Sequence, residues 1–383
     1  MLRTDVMVVG LGTVGINALH YLLLEPNMSR IVATDIGEDG AGKTRLALNV
    51  ANQLGHFPDA RFRKMDVFAG IERNAEILRE VNPRVIITAV SMVSPRAIRR
   101  ALSSPELYSA ILEACGAGLM FPLQLRGAYN LALAIKEANI DTFVVNSSYP
   151  DGVGPALKTQ GLAPTVGLGN LDILVPSIRR TVAEREGVKP RDVMIFLVAH
   201  HSSFMWLVTG KPDPDKFCPY SLKVFVDSED ITDRYDTGKL LKESAAVHAQ
   251  LGLGAPEYPT VAASGVRNAL ALLLDRGILT HAPGPNGMPG GYPVRLGAEG
   301  AKIVLPEGIT LDEAVSINLE GQRRDGIEEI GDDGTVVLAD RGADKLKEVF
   351  GLRLKSFKVK DVDEVAKELW ERMQGIKNER IKE

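Results

Sequence analysis

Two glycine-rich stretches near the start of the chain have spacings that could hold phosphate groups. The first, Gly10-x-Gly12-x-x-Gly15, is typical of a strand–turn–helix unit that brings backbone amides to a pyrophosphate. The second, from Gly37 to Thr44, reads G-x-x-x-x-G-K-T, the spacing of a loop that cradles a nucleoside triphosphate. One domain does not readily use both stretches to bind phosphate. The predicted strands and helices around each stretch therefore indicate which of the two is the phosphate site.

The first stretch has the context that dinucleotide binding requires. It follows the apolar run DVMVV, which predicts a buried strand, and it opens a helical pattern. An acidic residue ends the next predicted strand, where a carboxylate can bind the hydroxyls of an adenosine ribose. We therefore predict NAD as the cofactor; NADP is less favoured, because its 2′-phosphate would meet that carboxylate. The residues predicted to bind it here are Gly10, Gly12, Thr13, Val14, Gly15 and Asp35.

The second stretch has weaker support as a triphosphate site. It follows the second predicted strand, where a dinucleotide-binding domain places its adenosine. No apolar strand ends in an aspartate well placed for magnesium, and Gly37 and Gly40 are also ordinary turn residues. Triphosphate binding is therefore the minor alternative. Lys43 or Arg45 could instead contact a 2′-phosphate.

The order of predicted elements gives the fold class. Up to residue 150, short apolar strands alternate with helices, which predicts an α/β Rossmann fold with a doubly wound parallel sheet. From residue 151 the pattern predicts an α+β substrate domain, with an antiparallel pair at 293–296 and 301–305 and a capping box at Thr310. The stretch 282–292 is rich in glycine and proline and predicts a loop. We expect three parts: 1–150, 151–325 and a C-terminal strand–helix extension, 326–383.

The bulk properties restrict the class of protein. The 383 residues carry a net charge of −4, which does not favour nucleic acid or an anionic membrane as a partner. Cys115 and Cys218 lie far apart and form neither a metal-binding spacing nor a disulfide framework, so no metal is predicted. The N-terminus has no secretory pattern and no apolar run is long enough to span a bilayer, so we expect a cytoplasmic protein.

Several stretches of the second half resemble the lactate/malate dehydrogenase family, and they occur in the family's order. The segment Gly169-Asn170-Leu171-Asp172 is similar to the family's Gly-x-x-Leu-Asp stretch, and 188–203 is similar to the strand that ends in its catalytic histidine. Residues 260–276 resemble the long helix beside the active site, and 293–322 resemble the closing hairpin and helix. The resemblance covers about residues 1–325.

The resemblance implies reversible oxidation of an alcohol on a small-molecule substrate, in a homodimer or homotetramer. His201 would be the acid/base, since an imidazole titrates near neutrality, and Asp172 would orient it. His200 is the alternative acid/base. His201 could instead be a structural histidine of the core, and Asp172 could instead cap a helix. Asn146 and Tyr149 end the fifth predicted strand, where they could contact cofactor or substrate.

Both arginines with which the family binds and polarises its substrate are missing. Val175 and Met120 occupy the matching positions, so ordinary lactate or malate oxidation is not expected. Arg179 and Arg96 are the candidate replacements, and a solvated run of charges is the alternative interpretation for Arg96 in SPRAIRR. Two other functions stay open. One is a Rossmann dehydrogenase acting on an amino or semialdehyde substrate with another acid/base, and the other is an NAD-binding protein without catalysis.

Overall fold

Six parallel strands form the main sheet of the computed structural model, which describes residues 4–93, 95–102, 104–203, 207, 218–251 and 257–380. Their order is β3-β2-β1-β4-β5-β6, so the strand order reverses between β1 and β4. This is the Rossmann arrangement, and it confirms the predicted fold class. The strands are Thr4–Val9 (β1), Arg30–Asp35 (β2), Asp59–Lys64 (β3), Pro83–Thr88 (β4), Phe143–Asn146 (β5) and Val166–Gly167 (β6).

Helices cover both faces of this sheet, which is why its central strands are almost continuously apolar. Helix α1 packs beside α10 on one face, and α3 packs beside α6 on the other. The helices up to β6 are Thr13–Leu23 (α1), Gly40–Gln53 (α2), Ile71–Val81 (α3), Pro95–Leu102 (α4), Pro105–Cys115 (α5), Phe121–Ala138 (α6) and Pro150–Lys158 (α7). Those that follow are Val175–Glu186 (α8), Thr237–Leu251 (α9), Tyr258–Leu273 (α10) and Leu311–Arg324 (α11).

Two small antiparallel sheets belong to the second half of the chain. One has the order β7-β8-β9 and the other β10-β11-β12. Their strands are Val193–Val198 (β7), Ser221–Val226 (β8), Glu229–Asp230 (β9), Ile278–Pro283 (β10), Gly291–Gly297 (β11) and Gly300–Ile303 (β12). The stretch 282–292 is therefore loop only in its centre, because β10 and β11 extend into both of its ends. The capping box at Thr310 is present: its hydroxyl accepts from the Glu313 amide, and the Glu313 carboxylate accepts from the Thr310 amide.

The C-terminal extension forms a third antiparallel sheet with two helices. Its elements are Ile327–Ile330 (β13), Thr335–Leu338 (β14), Asp340–Phe350 (α12), Ser356–Lys358 (β15) and Val362–Arg380 (α13). They share one apolar core with α4, α5 and α6, the segment that connects β4 to β5. The largely buried Arg126 of α6 donates to the Asp363 carboxylate at 3.0 Å, which joins the two parts. The extension thus covers the connection that follows the fourth strand.

No helix among the described residues is both long enough and apolar enough to cross a bilayer.

Candidate active site

The first glycine-rich stretch forms a tight turn between β1 and α1. Gly10 has a φ of +93°, and a Cβ built on Gly15 would lie 1.8 Å from the Gly10 carbonyl oxygen, so both positions need glycine for internal reasons. Gly12 differs, because its φ of −69° suits any residue and an added Cβ would meet no protein atom within 4 Å. The protein's own packing gives no reason for glycine at this exposed position. Close approach of a ligand to the backbone would explain glycine at this position, and a pyrophosphate is a ligand that binds in this way.

The carboxylate at the end of β2 closes the same turn. Asp35 Oδ2 accepts from the Leu11 amide at 2.5 Å, and Oδ1 accepts from the Gly37 amide at 2.7 Å. These two bonds fix the carboxylate beside the glycine turn and leave further lone pairs for ribose hydroxyls. Thr13 is exposed and Val14 half-buried at the start of α1. The six residues predicted from the motif therefore lie together around one helix N-terminus.

The second glycine-rich stretch uses its donors internally. The Gly40 amide donates to the Gly37 carbonyl, and the Lys43 amide donates to the Asp39 carbonyl. The Thr44 hydroxyl is buried and donates to the Gly40 carbonyl at 2.9 Å, whereas a phosphate-binding loop would direct it to magnesium. Phe62 explains one glycine, since a Cβ on Gly40 would lie 2.3 Å from its ring. This geometry favours a structural turn over a triphosphate site.

His201 lies between two buried carboxylates just after β7. Its Nδ1 is 3.2 Å from Asp325 Oδ2, and its backbone amide donates to Asp151 Oδ1 at 3.3 Å. Both aspartates are almost completely buried, whereas the His201 side chain keeps 20% of its surface exposed. The Asn170 side-chain amide donates to the second Asp151 oxygen. Nδ1 is the ring nitrogen that faces Asp325, so Nε2 is the nitrogen that this carboxylate does not engage.

The charges around His201 keep it ready to hold a proton. Burial lowers the pKa of His201, but the Asp325 hydrogen bond and the charges of Asp325, Asp151 and Glu257 outweigh burial and raise it above its ordinary value. Burial raises the pKa of Asp151 to about 7, against the lowering effect of His201. By contrast, burial lowers the pKa of His200 to about 4, so this histidine is neutral. Of the two adjacent histidines, His201 therefore has the environment of an acid/base.

Tyr149 completes the group of side chains around Asp325. Its hydroxyl donates to Asp325 Oδ2 at 2.7 Å, and its ring meets the His201 ring edge-on with centroids 5.7 Å apart. The backbone of Tyr149 has a φ of +36°, which is strained for a bulky residue and more so directly before Pro150. Such strain costs about 1–3 kcal/mol and is typical of functional sites. Here it places the hydroxyl on the carboxylate that faces His201.

Asp172 does not meet His201, contrary to the pairing that the resemblance implies. Its Oδ2 accepts from Arg267 at 2.6 Å, and Arg267 also donates to the Asn268 side chain and the His281 carbonyl. The reason is local: Asn170–Ile173 is a 3₁₀ turn, in which residues two apart point in different directions. Asn170 faces Asp151, so Asp172 faces Arg267. Neither is Asp172 bonded to the amides that begin α8; the structure describes no side-chain cap there.

The remaining predicted residues have other surroundings. The Asn146 side chain bonds both the amide and the carbonyl of Ser148, so its own turn uses the amide group that was expected to contact the cofactor. Arg179 is half-buried. Burial and the charge of Arg267 lower its pKa, and the charge of Asp172 raises it, so Arg179 lies with Asp172 and Arg267. His200 is fully buried, with Nδ1 accepting from the Ser202 amide at 3.2 Å. The side chain of Arg96 lies outside the described residues.

The sequence did not identify Asp325 or Asp151 as site residues. Asp151 follows Pro150 at the start of α7 and has no distinctive spacing to His201. Asp325 ends α11, 124 residues after the histidine. Only the three-dimensional packing brings them together. The one signal available was the position of residues 146–151 at the carboxyl end of a parallel strand, where ligands bind in such sheets.

Comparisons with known proteins agree with the fold. No protein-family model matches the chain, and a search of curated proteins found no match. Among solved structures, lactate dehydrogenase from Cryptosporidium parvum, complexed with lactic acid and nicotinamide adenine dinucleotide, is 16% identical with a TM-score of 0.57, covering 85% of this chain and 99% of that chain. Malate dehydrogenase from Plasmodium falciparum in complex with NADH is 13% identical, with a TM-score of 0.57 and coverage of 84% and 98%.

A third structure extends the comparison. Lactate dehydrogenase from Eimeria maxima with NADH and oxamate is 15% identical, with a TM-score of 0.57 and coverage of 82% and 89%. At such identities the likeness establishes the fold. The chain spans nearly the whole length of each of these proteins, so the likeness includes the half that follows the Rossmann sheet.

Proposed function

We propose that the protein is an NAD-dependent oxidoreductase that interconverts an alcohol and a ketone or aldehyde. The observation that carries the proposal is His201: a partly exposed imidazole, held at Nδ1 by a buried carboxylate, in a chain that also has a dinucleotide turn. The structural neighbours bound to NAD or NADH support the cofactor. We also propose that residues 1–150 are the cofactor domain, 151–325 the substrate domain and 326–383 an extension. Among the described residues, β6, at Val166–Gly167, is the one strand of the main sheet that lies beyond the first boundary.

In the proposed reaction each residue has one role. Gly12 and the start of α1 bind the pyrophosphate, and Asp35 binds the adenosine ribose. Bound NAD supplies the hydride acceptor. In the oxidation direction His201 Nε2 accepts the hydroxyl proton as the carbonyl forms, and in reduction it returns that proton. Asp325 holds the ring by Nδ1 and stabilises its protonated form, and Tyr149 holds Asp325.

Absorbance of reduced nicotinamide tests the proposal directly. The protein with NAD is mixed with a panel of hydroxy acids, uncharged alcohols and amino alcohols, and turnover of at least one member is expected. Binding of NAD without turnover of any alcohol, amine or semialdehyde would favour the non-catalytic alternative.

Replacing Asp325 distinguishes the orienting carboxylate from Asp172. Because Asp325 raises the pKa of His201, Asp325→Asn lowers that pKa. Alcohol oxidation requires neutral His201, so its rate rises with pH through this pKa; in the variant that rise moves to lower pH, and the plateau falls by about 10- to 100-fold. The measurement is the pH profile of kcat for oxidation.

Asp172→Asn is the matched control. It weakens the ion pair with Arg267 and is expected to lower the free energy of unfolding by about 2 kcal/mol. The pH profile of kcat is expected to stay the same. If Asp172→Asn moves the profile and Asp325→Asn does not, the family pairing holds and our assignment is wrong.

We further propose a homo-oligomer in which α2 forms the contact. Leu46, Val50 and Leu54 follow at four-residue spacing, so they share one face, and with Phe57 they are exposed by 42–81%. Several large apolar side chains exposed on one face of a helix are typical of an interaction surface. Light scattering is expected to give a multiple of the 41.4 kDa chain mass, and Leu46→Lys with Leu54→Lys to give single chains. A wild-type mass of one chain would contradict this.

A further inference from the structure

Two arginines and one aspartate lie together beside the 3₁₀ turn Asn170–Ile173. Asp172 of this turn accepts from Arg267 of α10 at 2.6 Å, and both residues act electrostatically on the guanidinium of Arg179 in α8. The three side chains come from three different elements, so the packing of the fold brings them together. Two guanidinium groups and one carboxylate leave one positive charge in excess.

Arg179 lacks a hydrogen-bond acceptor at a position where it has lost hydration. Its side chain is half-buried, and its Nε is buried without a hydrogen-bond partner among the residues that the structure describes. Burial and the charge of Arg267 lower the pKa of Arg179, and the opposing charge of Asp172 does not restore it. A charged donor that is desolvated without an acceptor costs free energy. An acceptor from outside the chain would remove this cost.

Arg267 has capacity for a second anion. Its described hydrogen bonds use Nε and Nη2, which donate to Asp172, the Asn268 side chain and the His281 carbonyl. The side chain stays 33% exposed, so an external group can reach it. Burial lowers the pKa of the neighbouring His281 to about 4, so this imidazole is neutral and does not change the excess charge.

The turn separates this cluster from His201. Asn170 bonds the carboxylate of Asp151, which also accepts from the His201 amide. Asp172, two residues later, points to Arg267 instead. A ligand held by the two arginines would therefore lie on a different side of the turn from the proposed acid/base.

We propose that Arg179 and Arg267 form a binding site for a small oxyanion, a carboxylate or a phosphate, distinct from the site around His201. Guanidinium groups bind such oxyanions through short, charge-assisted hydrogen bonds, often two at once. The anion balances the excess positive charge and gives Arg179 the acceptor that it lacks, while Asp172 holds Arg267 in position. This site does not depend on the proposed reaction.

Calorimetric titration with inorganic phosphate and with acetate, at constant ionic strength, tests the site. The protein is saturated with NADH, so that phosphate does not enter the glycine turn. At least one of the two anions is expected to bind, and Arg179→Gln is expected to raise its dissociation constant at least about tenfold. Arg180→Gln removes the same charge from the next, exposed position of α8, and His201→Asn alters the other site. Both are expected to leave the constant within about twofold.

Urea denaturation shows whether Arg179→Gln acts through folding. Because Arg179 makes no hydrogen bond among the described residues, the variant is not expected to lower the free energy of unfolding.

Three results would overturn the inference. These are no binding of either anion, an equal effect of Arg179→Gln and Arg180→Gln, and loss of anion binding in His201→Asn. None of them contradicts the proposed function, which fails separately if NADH does not bind or if no alcohol is oxidised. Without bound NADH, the comparison of Arg179→Gln with Arg180→Gln still reports on the arginine site.

Discussion

Replacing His201 by asparagine lowers the turnover number by about 10²- to 10⁴-fold, while the dissociation constant of NAD changes by less than about threefold. The loss follows because asparagine cannot accept a proton at the position of Nε2, and removal of a positioned acid/base costs about this much. NAD affinity is retained because the glycine turn and Asp35 lie on other elements, β1, α1 and β2. Steady-state rates of NADH formation give the first quantity, and fluorescence titration of NADH gives the second.

The adjacent histidine is the control for this experiment. His200 is fully buried against Gly321, so His200→Asn is expected to lower the free energy of unfolding and to leave kcat within about threefold once folding is verified. If His201→Asn keeps full turnover, His201 is not the acid/base. Another group then performs the proton transfer, as the amino- or semialdehyde-dehydrogenase alternative requires.

Replacing Gly12 by valine removes cofactor binding without unfolding the protein. The dissociation constant of NAD rises by at least about 10²-fold, because the side chain occupies the path by which a pyrophosphate reaches the backbone. The free energy of unfolding changes by less than about 1 kcal/mol, since the backbone angles of Gly12 suit a side chain and no protein atom lies near. Titration with NADH and urea denaturation measure the two effects.

Two further variants show whether this effect belongs to the ligand or to the fold. Gly15→Ala places a Cβ 1.8 Å from the Gly10 carbonyl oxygen, so this variant is expected both to lower the stability of the protein and to weaken NAD binding. Lys43→Ala leaves NAD binding unchanged, because Lys43 pairs with Asp39 on the surface. If Gly12→Val binds NAD normally and Lys43→Ala abolishes binding of ATP, the phosphate site is the second glycine-rich stretch instead.

The Rossmann half could be predicted from the sequence because its signals are local. The runs VMVV and VIIT are buried strands, and the spacing of Gly10, Gly12 and Gly15 specifies a turn that needs no distant partner. The short edge strand β6, at Val166–Gly167, was missed because two residues carry no periodicity. Helices α4, α5 and α7 were also missed, and proline begins each of them.

The site could be predicted only in part because its geometry is not local. The resemblance pointed to His201, whose acid/base role stays a prediction, and the structure places this residue beside Asp325 and Asp151. The orienting carboxylate was sought at Asp172, where the family places it, but the orientation of one 3₁₀ turn sends that side chain to Arg267. Asp325 comes from the end of α11, and sequence spacing carries no information about such a distant contact.

The position of Asp325 makes completion of the candidate site depend on residues far along the chain from the glycine turn. The Gly118 amide donates to the Asp325 carbonyl at 2.8 Å, and the next residue, Gly326, accepts from Ala339 in the extension at 2.9 Å. The glycine turn and Asp35, by contrast, lie on β1, α1 and β2, which come before Asp325 in the chain. A chain truncated before Asp325 would therefore contain the residues of the glycine turn while lacking the carboxylate that bonds His201 Nδ1, so such a truncation is expected to separate dinucleotide binding from the proposed proton transfer.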